Sequence, residues 1–305
     1  MLQRDGFIEE ISWSLETNKN IFFLSADFGA AALDILRVRY KDNFIHCGIS
    51  EQNMIDVAVG LALEGKNVFC YAMAPFITLR ALEQIKTGPG IMNLPICLIS
   101  VGIGIGYADS GPTHYATEDF ACLRSIIGVN IYTSADTSTA RRLAKDLLAN
   151  PKFAYVRLDR HNLPEVENVK DHGAFRVICG KHFGMPPITK IALISHGKTL
   201  HTCAEVVRRV PDRFFAIDLV QSKPFPKALV ELLYGTEKIV VVDEQTLAGS
   251  LGAAVFEAFS DVRLFPKIIN VTLSEKYFFE NIGRDGIFQI SGLTPENIIK
   301  QAERF

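Results

Sequence analysis

The feature that most constrains the fold is a regular alternation of short apolar runs with amphipathic stretches of helical length. Continuous apolar runs separated by helices are typical of strands buried on both faces of a parallel sheet. We therefore predict an α/β protein. In the first half of the chain the predicted strands are "IFFLS", "NVFCYA", "LPICLISV", "VNIYT" and "FAYVRL", and the predicted helices span 51–64, 76–87, 117–126 and 137–149.

The alternation weakens after residue 165, where "GKHFGMPPITK" carries the glycines and prolines of a linker. It resumes with the apolar runs "KIALIS", "FFAIDL", "KIVVVDE" and "PKIINV". A chain of 305 residues with 48% hydrophobic content is long enough for two cores. We predict one domain over 1–165, a linker over 166–187 and a second domain over 188–305, each a mainly parallel sheet flanked by helices.

Charge and cysteine content limit the partners and the compartment. The net charge is −2, the pI is near 6.4, and the basic residues are dispersed, which predicts no binding to nucleic acid or to a membrane surface. No segment reaches the roughly 18 apolar residues of a membrane span, and the charged start does not resemble a signal peptide. The six cysteines form no C-x-x-C pair, which predicts a reducing, cytoplasmic location.

A glycine-rich segment, "SVGIGIGYADSGPTH" at residues 100–114, follows a predicted strand. It is not a dinucleotide-binding turn, because that turn needs G-x-G-x-x-G opening directly into a helix. Glycines in a loop after a strand can permit positive φ for purely structural reasons, or they can line a ligand site. Its position at the carboxyl end of a strand favours a ligand-lining loop.

An acidic residue occupies an unusual place in "FIHCGISEQN", residues 44–53, where a strand passes into the apolar helix "MIDVAVGLAL". Glu51 would begin that helix. A glutamate in a first helical turn is commonly a solvated side chain that the helix dipole favours. Taken alone, Glu51 could be such a residue, so its neighbours have to decide its role.

Four motifs, "GISEQNM", "LRALEQIK", "GPTH" and "DRHNLP", follow one another in the order and approximate spacing seen in transketolases. The chain resembles the carboxyl-terminal half of a transketolase, which comprises the pyrimidine-binding domain and a third domain. Some two-subunit enzymes encode this half separately. The resemblance covers essentially all of the chain and is weaker beyond residue 188, where "VVVDEQTLAGSLGAAV" is similar to the third domain.

The resemblance implies a thiamine diphosphate cofactor. In that family a glutamate hydrogen-bonds N1′ of the aminopyrimidine, so that the cofactor's own amino group can remove its C2 proton, and this role falls to Glu51. Phe76 is the expected partner that stacks on the pyrimidine, with Tyr71 as the alternative and a core aromatic as the plain reading of either. Asp27 and Ile49 are expected near the cofactor, although an aspartate like Asp27 can also be a simple helix cap.

The same resemblance assigns substrate contacts. His114 matches the histidine that faces the reacting carbon, and Arg160 matches the arginine that holds the sugar phosphate. Arg4 is expected to help with the phosphate, with a surface salt bridge as the alternative for both arginines. Asp109 and Ser110 replace the acidic pair that contacts the donor hydroxyls.

Two further positions depart from the transketolase pattern. Gly102 stands where transketolases carry a phosphate-contacting histidine, and Ala31 stands in place of a serine in the loop after the first strand. The substrate pocket is therefore expected to differ from that of an enzyme using standard pentose or hexose phosphate donors.

One motif of the family is missing. Diphosphate and its metal are held in this family by a G-D-G motif followed by an asparagine, and the nearest match, "GRDG" at 283–286, lacks the expected surroundings. We therefore predict no metal ligands on this chain. Mg²⁺ and the diphosphate are expected on a separate transketolase N-terminal subunit, with a homodimer of this chain inside a heterotetramer.

Three other functions stay open at this point. The chain could be the β subunit of a 2-oxoacid dehydrogenase or a carboligase that decarboxylates pyruvate. A synthase of deoxyxylulose phosphate is disfavoured, because the arginine expected in its glycine loop is missing. The chain could also be a regulatory or scaffolding subunit that retains the fold without turnover.

Overall fold

The chain divides into two units. The computed structural model describes residues 1–27, 29–179, 191–236 and 238–304. The first unit comprises Met1–Gly106 and Thr113–Glu165, and the second comprises Tyr107–Pro112 and Val166–Phe305. The predicted domain start at residue 188 lies outside the described residues.

The first unit is built on a parallel sheet, as the apolar runs predict. Its strands follow the order β5–β6–β4–β3–β1–β2, and every pair among them is parallel. The strands are β1 (Ile21–Ala26), β2 (Phe44–Gly48), β3 (Asn67–Met73), β4 (Ile96–Val101), β5 (Asn130–Thr133) and β6 (Ala154–Leu158).

The central strands are buried on both faces. All residues of β4 and β6, and all but the last residue of β3, are buried, which explains why these runs are continuously apolar rather than alternating. The edge strand β2 is only half-buried. It adjoins the turn that carries Glu51.

Helices cover this sheet. They are α1 (Gln3–Ser14), α2 (Asp34–Arg39), α3 (Glu51–Leu63), α4 (Leu82–Ile85), α5 (Asp119–Ser125) and α6 (Thr137–Ala149). Helix α3 packs against β1 and β3, and α1 packs against α6. The start of α6 is fixed because Asp136 accepts a hydrogen bond from the Thr139 backbone N–H at 2.9 Å.

The structure differs from the single helix predicted over 76–87. The segment forms a π-helical turn at Phe76–Arg80, the short helix α4, and a second π-helical turn at Lys86–Gly90. Pro89 lies inside the second turn and cannot donate a helical hydrogen bond. π-helical turns often mark functional sites, and the first one here supplies two residues of the candidate site.

The second unit has its own sheet in the order β13–β12–β9–β10–β8–β7. The four strands β13, β12, β9 and β10 are parallel, whereas β8 and β7 are added antiparallel. The strands of this unit are β7 (Val169–Asp171), β8 (Arg176–Ile178), β9 (Ile191–Ser195), β10 (Phe214–Asp218), β11 (Gln221–Lys223), β12 (Lys238–Val242) and β13 (Lys267–Val271). Its helices are α7 (Lys198–Arg209), α8 (Lys227–Leu232), α9 (Leu251–Phe259), α10 (Gly283–Ser291) and α11 (Pro295–Glu303).

The first part of the predicted linker over 166–187 is therefore not a linker. It contains β7 and β8, which are hydrogen-bonded into the second sheet. Each strand has only three residues, too few to register as an apolar run in the sequence. The remainder of that segment, from residue 180 onward, lies outside the described residues.

Within the described ranges, no helix is long and apolar enough to cross a bilayer.

Candidate active site

The candidate site lies where the strands of the first unit end. Because these strands are parallel, their carboxyl ends meet at one edge of the sheet, which is where α/β folds bind ligands. Asp27 follows β1, Glu51 follows β2 after a short turn, and Phe76 comes soon after β3. Arg160 comes two residues after β6. Residues far apart in sequence are thus brought to the same edge.

The turn before Glu51 explains how the acid reaches the interior. Gly48, at the end of β2, has φ of +68°, a left-handed conformation that favours glycine. The Ser50 hydroxyl donates to the Cys47 carbonyl at 2.5 Å and closes the turn. Glu51 then begins α3 and is only 4% exposed. It is therefore a buried acid and not a solvated first-turn residue.

The buried carboxylate has a cationic partner. Arg80 Nη1 donates to Glu51 Oε2 at 2.7 Å, and the arginine side chain remains 40% exposed. The same guanidinium lies over the Phe76 ring, 4.2 Å from its centroid. The π-helical turn places Phe76 and Arg80 at its two ends. A planar cation is thus hydrogen-bonded to Glu51 and stacked on Phe76.

His114 continues this group. Its ring lies edge-on to Phe76, with 5.3 Å between centroids and an angle of 70°. The Thr113 hydroxyl and His114 Nδ1 are 2.9 Å apart, within hydrogen-bonding distance. Glu51, Arg80, Phe76 and His114 therefore form one contiguous cluster, and three of these four residues were predicted from the sequence.

The glycine-rich loop after β4 folds back on itself. Gly102 has φ of +83°, and a Cβ built on Gly106 would lie 3.1 Å from the Gly102 Cα and 3.1 Å from the Ile103 carbonyl oxygen. The Ala116 N–H donates to the Gly104 carbonyl at 2.7 Å. That bond ties the segment carrying His114 to the loop. The glycines thus permit a tight backbone fold and do not form a dinucleotide-binding turn.

Asp27 and Ile49 flank the turn that leads to Glu51. The Asp27 N–H donates to the Gly48 carbonyl at 3.0 Å, and its carboxylate is 3.7 Å from Nε2 of His46. Ile49 is 77% exposed. Both residues are therefore beside the acid, with Ile49 available for an outside contact.

Tyr71, the alternative stacking residue, has no exposed surface and packs against Phe23 with 6.0 Å between ring centroids. It is a core residue here, and Phe76 keeps the stacking role. Arg4, half-buried, bonds Asp5 at 3.2 Å. Burial lowers the pKa of Arg4, but the neighbouring Tyr71 and Asp5 more than offset this, so that its pKa is raised and the guanidinium stays charged.

Asp109 and Ser110 belong to the segment Tyr107–Pro112, which is part of the second unit. The Ser110 hydroxyl donates to Asp109 Oδ1 at 3.4 Å. The two side chains are thus described with the second unit, and their expected contact with donor hydroxyls stays a prediction.

A second buried network supports the helix that follows His114. The Arg157 guanidinium bonds both carboxylate oxygens of Asp119, at 2.8 and 3.1 Å, and the Tyr155 hydroxyl donates to Asp119 at 2.6 Å. All three residues are almost fully buried. Burial raises the pKa of Tyr155 well above its ordinary value, and Asp119 raises it further, so the hydroxyl keeps its proton.

The sequence interpretation missed Arg80 and the Asp119–Arg157 pair. Arg80 lies within "LRALEQIK", which served only as a family motif. Arg157 interrupts the apolar run "FAYVRL", and a charge inside an otherwise buried strand is a signal that it needs a buried partner.

These residues fit one half of thiamine diphosphate. An aminopyrimidine is a planar heterocycle that would need an aromatic face and a carboxylate at its edge, and the Arg80 guanidinium already makes both contacts with Phe76 and Glu51. Among the described residues, no group of three or more His, Cys, Asp or Glu side chains could hold a metal ion. The fit therefore concerns the pyrimidine end.

Comparisons with known proteins agree with this geometry. The family model described as "Transketolase, pyrimidine binding domain" matches residues 3–166, and the model "Transketolase, C-terminal domain" matches residues 186–298. One of the two subunits of an apulose-4-phosphate transketolase, from Phocaeicola vulgatus, is 29% identical over 99% of this chain and 96% of its own length. A putative transketolase C-terminal section from Methanocaldococcus jannaschii is 23% identical over 98% of this chain and 94% of its own length.

Solved structures show the same fold. A structure described as a split gene transketolase, inactive beta4 tetramer, superposes with a TM-score of 0.84 at 22% identity, covering 100% of this chain and 98% of the other. The fold and the site together define a pyrimidine-binding domain followed by a second α/β domain. The chain belongs to the transketolase family.

Proposed function

We propose that this chain is the pyrimidine-binding subunit of a split, thiamine diphosphate-dependent transketolase-like enzyme that transfers a two-carbon ketol unit between sugars. The observation that carries the proposal is the buried Glu51 carboxylate beside the aromatic face of Phe76. A buried acid next to a flat, stacking surface suits a hydrogen-bonded aminopyrimidine.

Each residue of the cluster has a distinct task in this proposal. When bound, the cofactor supplies the carbanion chemistry that adds to and cleaves the ketose. Glu51 holds a proton shared with N1′ of the pyrimidine, and Phe76 fixes the plane of that ring. His114, in edge contact with Phe76, is placed to donate a hydrogen bond to a substrate oxygen. Asp109 and Ser110 are proposed contacts for the hydroxyls of the donor.

A separate subunit is proposed to hold Mg²⁺ and the diphosphate. Two observations support this: the described residues offer no metal-binding group, and relatives covered over nearly their whole length are named as a transketolase subunit and as a C-terminal section. The similar solved structure, a beta4 tetramer, is described as inactive. We propose a homodimer of this chain that recruits two copies of the diphosphate-binding subunit.

The chain alone is expected to bind neither thiamine diphosphate nor Mg²⁺ measurably. A pyrimidine held only by Glu51 and Phe76 would leave the charged end of the cofactor in solvent, without the metal that offsets its charge. Calorimetric titration of the purified chain checks this, together with its mass in solution. Micromolar binding by the lone chain, with turnover and no partner, would refute the split enzyme.

Arg160→Ala is expected to weaken binding of a phosphorylated substrate and to spare the cofactor. A hydrogen bond to a charged group contributes about 1.5–3 kcal/mol, which corresponds to a rise in KM of roughly 10- to 100-fold. Steady-state kinetics of the reconstituted enzyme, with a sugar phosphate and the same sugar without phosphate, measure this. An equal loss on both sugars would remove Arg160 from the phosphate site.

A further inference from the structure

We propose that Gln3 is a positioning residue for the two arginines assigned to the substrate phosphate; this rests on the proposed function. Gln3 is the first residue of α1 and is completely buried. Its side-chain Nε2 donates to the Ser134 carbonyl at 3.2 Å, and its Oε1 accepts from the Asp159 N–H at 2.9 Å. One amide group therefore joins the helix to two separate loops.

The two loops are those that leave neighbouring strands at the edge of the sheet where the site lies. Ser134 directly follows β5 and Asp159 directly follows β6, and these strands pair in parallel. Arg4 is the next residue after Gln3, and Arg160 is the next residue after Asp159. The hydrogen bond between Gln3 and Asp159 thus fixes the points at which both arginines leave the backbone.

The backbone on the other side of Arg160 is also held. Asp159 Oδ1 accepts a hydrogen bond from the His161 N–H at 2.8 Å, and the Asp159 side chain is fully buried. Arg160 is therefore placed between two residues whose N–H groups are both engaged, while its own side chain stays partly exposed. A guanidinium on such a fixed backbone needs little reorganisation to bind a phosphate ester.

A buried amide can also be purely structural, because it must satisfy its hydrogen bonds wherever it is buried. Asn43 provides the matched case. Its Nδ2 donates to the carbonyls of Lys19 and Ile21, at 3.0 and 2.8 Å, and the residue is 8% exposed. Both acceptors lie at the start of β1, the opposite end of that strand from Asp27. Loss of Asn43 should therefore reduce stability without altering the phosphate site.

The experiment compares Gln3→Met with Asn43→Leu in the chain reconstituted with the diphosphate-binding subunit. The probes are apulose 4-phosphate and xylulose 5-phosphate, each paired with the free sugar. We expect Gln3→Met to raise KM for the sugar phosphate at least tenfold, with kcat nearly unchanged and no change for the free sugar. Asn43→Leu should lower Tm with KM unchanged. Adding Gln3→Met to Arg160→Ala should raise KM no further, because the arginine it positions is already gone.

Several outcomes would overturn the inference. KM unchanged in Gln3→Met, while Arg160→Ala raises it, leaves the phosphate site in place and removes Gln3 from it. Equal KM changes in Gln3→Met and Asn43→Leu, or fully additive effects of Gln3→Met and Arg160→Ala, would make the role of Gln3 structural. If neither sugar phosphate is turned over by the wild-type complex, the proposed function fails and this inference fails with it.

Discussion

Glu51→Gln is expected to abolish activation of the cofactor while leaving the fold intact. Glutamine keeps the shape of the side chain and an oxygen that can accept from Arg80, but it cannot share a proton with N1′ of the pyrimidine. General acid–base groups contribute roughly 10²- to 10⁴-fold to a rate. Because the whole reaction depends on this single proton, we expect a loss near or above the upper end of that range.

Exchange of the C2 proton of thiamine diphosphate, followed by NMR in the reconstituted complex, measures this loss directly. Glu64→Gln is the control, because Glu64 is exposed at the other end of the same helix. Its exchange rate should equal that of the wild type. Wild-type exchange in Glu51→Gln would show that Glu51 is not the acid that activates the cofactor.

Asp119→Leu is expected to destabilise the first unit by about 3–5 kcal/mol, because it leaves the guanidinium of Arg157 buried without its carboxylate partner. The side chain of Arg157 is 2% exposed and that of Asp119 is 0% exposed. Tyr155 would also lose its acceptor. The buried pair is little screened by water, so the loss should far exceed that of a surface ion pair.

Denaturant unfolding followed by the fluorescence of the single tryptophan, Trp13, measures the stability of the first unit. Asp34→Ala is the matched control, because Asp34 bonds Arg37 at the surface and is 67% exposed. It should cost less than about 1 kcal/mol. A double variant, Asp119→Leu with Arg157→Met, should recover most of the stability. A loss in Asp119→Leu no larger than that of Asp34→Ala would contradict the buried-pair explanation.

The strands of both units were predictable because they are buried on both faces, so their apolar character is continuous along the chain. The predicted run "FAYVRL" contains β6, and "KIVVVDE" contains β12. Helix α6 has the predicted bounds 137–149. The short antiparallel strands β7 and β8 were not predictable in this way, because a three-residue strand has no period to detect.

The π-helical turns were not predictable either, since a helical pattern in sequence does not reveal hydrogen bonds that reach one residue further. This limited the prediction of the site. Glu51, Phe76 and His114 could be proposed from motifs, but the contact of Arg80 with Glu51 depends on the register of the turn at Phe76–Arg80. Gln3 gave no signal, because a glutamine at the start of a helix is usually solvated.

The loop after β4 has a consequence for how this site can change. Gly102 and Gly106 approach so closely that backbone lies against backbone, with no side chain between them to enlarge or trim. Ordinary point mutations cannot reshape such a surface gradually: any Cβ at Gly106 would collide with main-chain atoms and shift the segment tied to Gly104. Drift toward new substrates should therefore be recorded in exchangeable side chains such as Arg160, while the contour of this loop is inherited unchanged.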